Sequence, residues 1–292
     1  SLYAWLAALR FTGGLPKGFS RQQLVEILGY SLPLVLAGMG GTTNEYLDRF
    51  FIRWLTPAPD SLAEVGIYGA NVKIAVLLTM VVQMYRYAAE PYFLPQSTDE
   101  RDKPQRLGLS TRLFLHTSLF IAAGIMLALP WLQYLVGREF RCGLDVIPAL
   151  LCANVLYGFY FNVSLWFKIQ KRTWYALLLV SVGMAVTVGL NLLLTPRISY
   201  HGAAWARVGC YAVMTALCIW LSIKHYSMPY LWRRYLLGLL CTGGALLLGL
   251  LPLPSQWLMM LWRALVMAAL LLLLLRVEGI NGFQLAKRWL RK

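Results

Sequence analysis

Residues 174–195 read WYALLLVSVGMAVTVGLNLLLT, and residues 202–223 read GAAWARVGCYAVMTALCIWLSI. Each run has the length of a helix, roughly 20 residues, that crosses a hydrocarbon layer about 30 Å thick. Residues 196–200 between them contain a proline and polar side chains, which are typical of a connection at the membrane surface. We therefore predict two membrane-spanning helices joined by a short loop.

Similar apolar runs fill the rest of the 292-residue chain, of which 59% is apolar. Runs of about 20 residues favour helices, because the strands of a membrane barrel would alternate over about 10 residues. We predict an all-α, polytopic helical membrane protein with about eight transmembrane helices. The eight runs cover residues 24–46, 66–88, 109–130, 146–167, 174–195, 202–223, 233–252 and 256–275.

The basic residues indicate which side of the membrane each loop faces. They give a formal charge of +15 but are dispersed over short loops, which speaks against a nucleic-acid partner. One set of alternate loops holds eighteen of them: Arg10, Lys17, Arg21, Arg101, Lys103, Arg106, Arg112, Lys168, Lys171, Arg172, Lys224, Arg233, Arg234, Arg276, Lys287, Arg288, Arg291 and Lys292. The opposite set holds four: Arg53, Arg138, Arg141 and Arg197. The positive-inside rule places the richer set, and with it the C-terminus, in the cytoplasm.

Residue types that carry catalysis or bind metals show no pattern here. The five cysteines and three histidines lack the spacing of a disulfide framework or a metal site. No loop is long enough to contain a soluble domain, and no intramembrane His/Asp site is visible. We expect a protein that is not an enzyme, with no metal, no cofactor and no catalytic residue.

The two ends of the chain carry separate predictions. Residues 2–9 are apolar but lack the basic start and cleavage site of a signal peptide, so we expect the end of a preceding helix. Since the chain does not begin with Met, we expect a piece of a longer protein. The basic residues 277–292 either anchor the last span in the cytoplasm or form a short helix on the inner leaflet.

Several charged residues fall at membrane depth, where each costs roughly 2.5–3.5 kcal/mol on insertion scales. The outer half of the first full helix contains Asn44, Glu45, Asp48 and Arg49. Lys73 lies at a similar depth in the second helix, so the charged members of this group can form one balanced cluster. The sequence leaves two interpretations open: a structural ion-pair network, or the wall of a wet cavity that handles a charged ligand.

Arg86 and Glu90 lie near the inner end of the second helix. They are four residues apart, which places them on one helix face where they can pair. A structural ion pair and a contact to a charged ligand both remain open for them.

Glycine and proline residues in the first full helix bear on its motion. Pro33 lies within the helix and removes a backbone hydrogen bond, and Gly38, Gly40 and Gly41 follow near mid-membrane. We predict either a hinge at these residues or close helix packing through the small residues.

Short motifs in a fixed order identify a family resemblance. They read YLDRFFI at residues 46–52, EVGIYGANVK at 64–73, YRYAAEPYF at 85–93, GLDVIP at 143–148, NVSLWFK at 162–168, LNLLLTP at 190–196 and GAAW at 202–205. The chain resembles the C-terminal half of bacterial polysaccharide or O-antigen flippases of the multidrug/oligosaccharidyl-lipid/polysaccharide (MOP) exporter superfamily. The resemblance covers nearly the whole chain.

The resemblance implies an architecture and a function. Such proteins have two six-helix lobes around a central cavity, often with two extra C-terminal helices. They move a lipid-diphosphate-linked oligosaccharide across the bacterial inner membrane by alternating access. The implied divisions are residues 1–23 as the end of a preceding helix and a cytoplasmic linker, 24–223 as a six-helix lobe, 224–276 as two added helices and 277–292 as a basic tail.

The resemblance also implies partners and residue roles. The partners are the lipid-linked oligosaccharide, membrane lipids, and either the missing N-terminal lobe or a second copy. The implied substrate-binding residues are Arg49, Lys73, Arg86 and Asn44. The implied residues for charge balance or ion coupling are Glu45, Asp48 and Glu90.

Three other functions remain open at the level of sequence. A multidrug exporter of the same superfamily would need surplus carboxylates for cationic drugs. A membrane-embedded saccharide polymerase or acyltransferase would usually need a large outer loop or an intramembrane His/Asp site. A non-transporting membrane scaffold would not require the charged residues at membrane depth.

Overall fold

The computed structural model describes residues 20–57, 60–94, 102–252 and 254–279, and within them the chain is helical with no strand. The predicted end of a preceding helix and most of the basic tail lie outside the described residues. The helices are α1 (Arg21–Leu55), α2 (Ser61–Phe93), α3 (Lys103–Leu127), α4 (Leu129–Leu132), α5 (Ile147–Val163), α6 (Leu165–Ile169), α7 (Trp174–Tyr226), α8 (Trp232–Gly249) and α9 (Gln256–Glu278). Two 3-10 helices, Gln133–Leu135 and Arg138–Val146, connect α4 to α5.

Helix α7 is a hairpin rather than one straight rod. At Ile198 and Ser199 the backbone leaves the helical region, with φ of −131° and 49°. The two halves lie against each other, because a Cβ added to Gly202 would be 2.6 Å from the backbone nitrogen of Thr195. A Cβ on Gly209 would likewise collide with Leu190. The break falls in the connection predicted at residues 196–200.

Six helices are long and apolar enough to cross a membrane: α1, α2, α3, the segment Arg138–Ile169, α7 and α9. The hairpin α7 counts once among them, although it contains two of the predicted runs. Helix α8 has 18 residues and is not one of the six. An all-helical, membrane-type fold is therefore confirmed, and the number of eight spans and the division into domains stay predictions.

The first helix begins at a cap and continues without interruption. The Ser20 side chain accepts a hydrogen bond from the Gln23 backbone nitrogen at 3.4 Å, which satisfies one of the free amides of the first turn. Helix α1 then runs through Pro33 for 35 residues. A Cβ added to Gly40 would lie 2.8 Å from Val180 of α7, whereas no described atom lies within 4 Å of a Cβ added to Gly38 or Gly41. Close packing therefore accounts for Gly40, and the hinge stays a prediction.

The main core lies between α2, α3, α5, α6 and α7, where Tyr68, Trp166 and Phe167 are almost completely buried. A smaller apolar cluster, including Leu127, Val266 and Leu270, packs α3 against α8 and α9. Helix α1 packs mainly on α7 and leaves a broad apolar surface uncovered. The helices thus form a body with α1, α2, α5 and α7 on one side and the α8–α9 pair on the other.

Glu278, the last residue of α9, joins the α8–α9 pair to α3. Both of its carboxylate oxygens accept from Arg112 Nε, at 2.9 and 2.8 Å. His116 Nδ1 lies 2.9 Å from Oε1, and Arg234 Nη1 lies 3.8 Å from Oε2. The side chains of Arg112 and Glu278 are only 8% and 3% exposed, so each charge depends on the other for solvation. Nothing in the sequence pattern predicted this cluster.

We expect Glu278→Gln to lower the free energy of unfolding by about 3 kcal/mol, because it leaves the buried Arg112 guanidinium without a counter-charge. The measurement is denaturant unfolding of the detergent-solubilised protein. Asp102→Asn is the matched control, since Asp102 and Arg106 form an exposed pair at 3.6 Å that we expect to contribute less than about 1 kcal/mol. Equal losses in the two variants would contradict a buried role for Glu278.

Candidate functional site

A polar cavity of about 490 Å³ lies between α1, α2, α5, α6 and α7. Its polar and charged lining residues are Tyr30, Thr42, Asn44, Glu45, Gln83, Arg86, Glu90, Tyr157, Tyr160, Ser164, Lys168 and Tyr211. A second cavity of about 510 Å³, between α3, α5, α7 and α8, has no charged residue among those described around it. The first cavity is the candidate site because charged side chains line it. Placing a charge at membrane depth costs free energy, so such residues point to a functional role.

One end of the cavity, at Glu90, holds three charged side chains in contact. Glu90 Oε1 lies 2.6 Å from Lys168 Nζ and 3.2 Å from Arg86 Nε. Both cations also lie over the Phe161 ring, with Arg86 Cζ at 4.3 Å and Lys168 Nζ at 5.1 Å from its centre. Two cations and one carboxylate leave a positive excess of one charge at this point, which favours an additional anion.

The predicted pairing of Arg86 with Glu90 is thus present, and Lys168 joins it. The charge pattern had placed Lys168 in an inner loop, but the side chain comes from the short helix α6 and reaches the cavity. Lys168 directly follows the apolar residues 165–167 at the end of a span. The sequence was therefore consistent with a position in a loop and with a position at the cavity. Only the fold brings α6 beside the C-terminal end of α2.

Away from Glu90, the lining of the cavity includes Asn44 and Glu45 of α1. Asn44 is buried, and its Nδ2 donates to Cys210 Sγ at 3.4 Å, while its Oδ1 has no hydrogen-bond partner among the residues that the structure describes. Glu45 is exposed, and its side chain forms no salt bridge with any described residue. Within the described part of the chain, the Asn44 amide oxygen and the Glu45 carboxylate therefore both have acceptor capacity left for a ligand.

Asp48 is placed differently from its predicted neighbours. Its Oδ2 accepts from Arg207 Nε at 2.7 Å and from the Tyr68 hydroxyl at 2.9 Å, and Arg207 Nη2 also donates to the Glu45 carbonyl at 3.0 Å. The Asp48 side chain is 2% exposed. This carboxylate is therefore sealed in the interface of α1, α2 and α7 and does not line the cavity.

The two other predicted cations also lie away from the cavity. Lys73 is exposed, and Arg49 is half-buried with its guanidinium 5.7 Å from the centre of the Tyr46 ring. The cluster predicted from Glu45, Asp48, Arg49 and Lys73 is not assembled, because Arg207 takes the position beside Asp48. Of the predicted hinge residues, Gly38 and Gly41 line the cavity and Pro33 and Gly40 do not.

No group of three or more metal-ligating side chains occurs among the described residues, and the five cysteines are free thiols. No protein-family model matches the chain, no curated protein matches its sequence, and no solved structure matches its fold. The class of the protein therefore rests on its own structure, which is all-helical where described and carries six helices long and apolar enough to cross a membrane.

A double-mutant cycle can test the assignment of Arg207 as the partner of Asp48. We expect Asp48→Asn and Arg207→Gln to show a coupling free energy of about 1.5 kcal/mol or more, because each alone leaves a buried charge unpaired. The same cycle with Asp48→Asn and Lys73→Gln should give a coupling near zero. The measurement is the free energy of unfolding in detergent, and strong coupling to Lys73 would restore the cluster predicted from the sequence.

Proposed function

We propose that the chain is the second lobe of a flippase that moves a lipid-diphosphate-linked oligosaccharide across the bacterial cytoplasmic membrane. In this proposal it acts as a multi-pass protein of the inner membrane with a cytoplasmic C-terminus and supports the synthesis of surface polysaccharide. The observation that carries the proposal is the convergence of Arg86 and Lys168 on Glu90 at one end of a polar cavity.

The charges of the cavity support an anionic ligand. A diphosphate offers several negatively charged oxygens, and hydrogen bonds between such oxygens and Arg or Lys are among the stronger ones in proteins. Arg86 and Lys168 come from different helices and converge on one point, so a single phosphate group can reach both. On the predicted topology this point is at the cytoplasmic end, where such a lipid is loaded.

The remaining lining residues support a sugar beside the phosphate. Tyr30, Gln83, Asn44 and Tyr157 offer hydroxyl and amide groups that can donate to or accept from sugar hydroxyls. A volume of about 490 Å³ accommodates the diphosphate and its first sugars rather than a long chain. A larger substrate needs a second wall, which in the proposal comes from an N-terminal lobe or a second copy.

One observation favours a second candidate, a multidrug exporter. The unpaired carboxylate of Glu45 lies in the cavity and would attract a cationic drug. Against it, Glu90 is already neutralised by two cations, so the lining as a whole has no surplus of negative charge. Resistance of cells that carry the complete gene to cationic drugs would favour this exporter, and unchanged drug sensitivity would favour the flippase.

We expect Arg86→Ala and Lys168→Ala, each in the complete protein, to lower surface polysaccharide by about tenfold or more. Each variant removes one charge-assisted hydrogen bond to the ligand, worth about 1.5–3 kcal/mol. The measurement is the polysaccharide on cells whose own gene is deleted and replaced by the variant, with immunoblots to show equal protein in the membrane. Arg106→Ala, an exposed residue at the same predicted side of the membrane, is the matched control and should leave the polysaccharide unchanged. Normal polysaccharide in both cavity variants would contradict the proposal.

A further inference from the structure

Glu90 occupies the place that an anionic ligand would take. A single oxygen, Oε1, lies within 2.6 Å of Lys168 Nζ and 3.2 Å of Arg86 Nε, and both cations border the same Phe161 ring. A phosphate oxygen that arrives at this point competes with the carboxylate for the same two donors.

The contact is open to exchange, unlike the other ion pairs inside the protein. The Glu90 side chain is 26% exposed and borders the cavity, whereas the carboxylates of Asp48 and Glu278 are 2% and 3% exposed. When an anion of higher charge displaces a water-accessible carboxylate from its cations, water solvates the carboxylate. The displacement therefore costs little free energy. A fully buried carboxylate cannot be solvated by water in this way, so its displacement is unfavourable.

The helix beside Glu90 lacks one backbone hydrogen bond. Pro91 follows directly within α2, and its ring nitrogen has no hydrogen to donate to the Tyr87 carbonyl one turn earlier. Helix α2 ends two residues later, at Phe93. The bond from Glu90 to Lys168 therefore ties this weakened last turn of α2 to α6.

We propose that Glu90 is a built-in competitor for the ligand diphosphate, which displaces it from Arg86 and Lys168 and thereby releases the inner end of α2. The inference rests on the proposed function and adds a regulatory contact to the same site. The inference also predicts selectivity for ligands with phosphate groups. A ligand without phosphate cannot displace Glu90 from Arg86 and Lys168, so the inner end of α2 stays bound to α6. A diphosphate, with more charge than a carboxylate, can.

Binding of a probe to the full chain in lipid nanodiscs tests the competition. The probe is radiolabelled farnesyl diphosphate, measured by equilibrium binding. We expect Glu90→Gln to bind it about tenfold more tightly than the unchanged protein, and Arg86→Ala about tenfold more weakly. Asp102→Asn removes a carboxylate from an exposed ion pair outside the cavity and should stay within about twofold.

The outcomes separate the two proposals. Weaker binding by Arg86→Ala without tighter binding by Glu90→Gln would overturn the competitor and leave the diphosphate site in place. Binding that is absent from the unchanged protein and from Glu90→Gln would overturn both. Tighter binding by Glu90→Gln, together with weaker binding by Arg86→Ala and unchanged binding by Asp102→Asn, supports the competitor.

Hydrogen exchange provides a second measurement, and its main comparison uses only the unchanged protein. In the unchanged protein, farnesyl diphosphate should increase amide exchange in residues 87–94, and farnesol, which lacks the phosphates, should not. Glu90→Gln should show the raised exchange before any ligand is added. Exchange at these residues that farnesyl diphosphate slows or leaves constant would overturn the release of α2.

Discussion

Hydrocarbon cannot solvate a charge, so an ionised side chain at membrane depth must find a partner inside the protein or reach water. Three carboxylates of the chain show how this constraint is satisfied. Asp48 is paired with Arg207, Glu278 with Arg112, and Glu90 with Arg86 and Lys168. The contacts of Asp48 with Arg207, Glu278 with Arg112 and Glu90 with Lys168 each join two helices that are distant in sequence. The ion pairs that stabilise these charges therefore also fix how the helices are arranged.

The same constraint applies to the backbone. Helix α7 leaves the helical region at residues 198 and 199, between two long apolar halves. Free amides and carbonyls at such a break are tolerated at the membrane surface, where water can reach them, or within packed protein. The halves then return against each other at the small residues Gly202 and Gly209, where a side chain on either would collide with the opposite half. The hairpin supports α1, which carries one wall of the cavity.

The helical fold was predictable from the sequence because hydrophobic length is a local property. The apolar runs fall on the observed helices, and the break in α7 falls in the segment marked by Pro196 and polar residues. The pair of Arg86 and Glu90 was predictable for the same reason, since both lie on one helix four residues apart. Spacing along a single helix determines such contacts, whatever the arrangement of the other helices.

Contacts between distant segments were not predictable in this way. Depth alone placed Lys73 as near to Asp48 as any other cation, yet depth does not determine which helix faces contact each other. Arg207, 159 residues from Asp48 in sequence, takes the position because the second half of α7 packs on α1. Lys168 and Glu278 were missed similarly, because their chemistry becomes visible only after α6 lies beside α2 and α9 beside α3.

The difference in exposure among the three carboxylates bears on how the proposed flippase lobe can work. A protein that opens a cavity alternately to two sides needs contacts that hold its helices together and others that can be exchanged. Asp48 and Glu278 are too deeply buried to give up their partners, so they belong to the first group. Glu90 reaches the cavity, shares one oxygen between two cations and stands before a proline, so its contact can be exchanged without exposing a charge to hydrocarbon. In the proposed flippase, the part that responds to the ligand is therefore the inner end of α2, and the fixed frame around it is built by the sealed pairs.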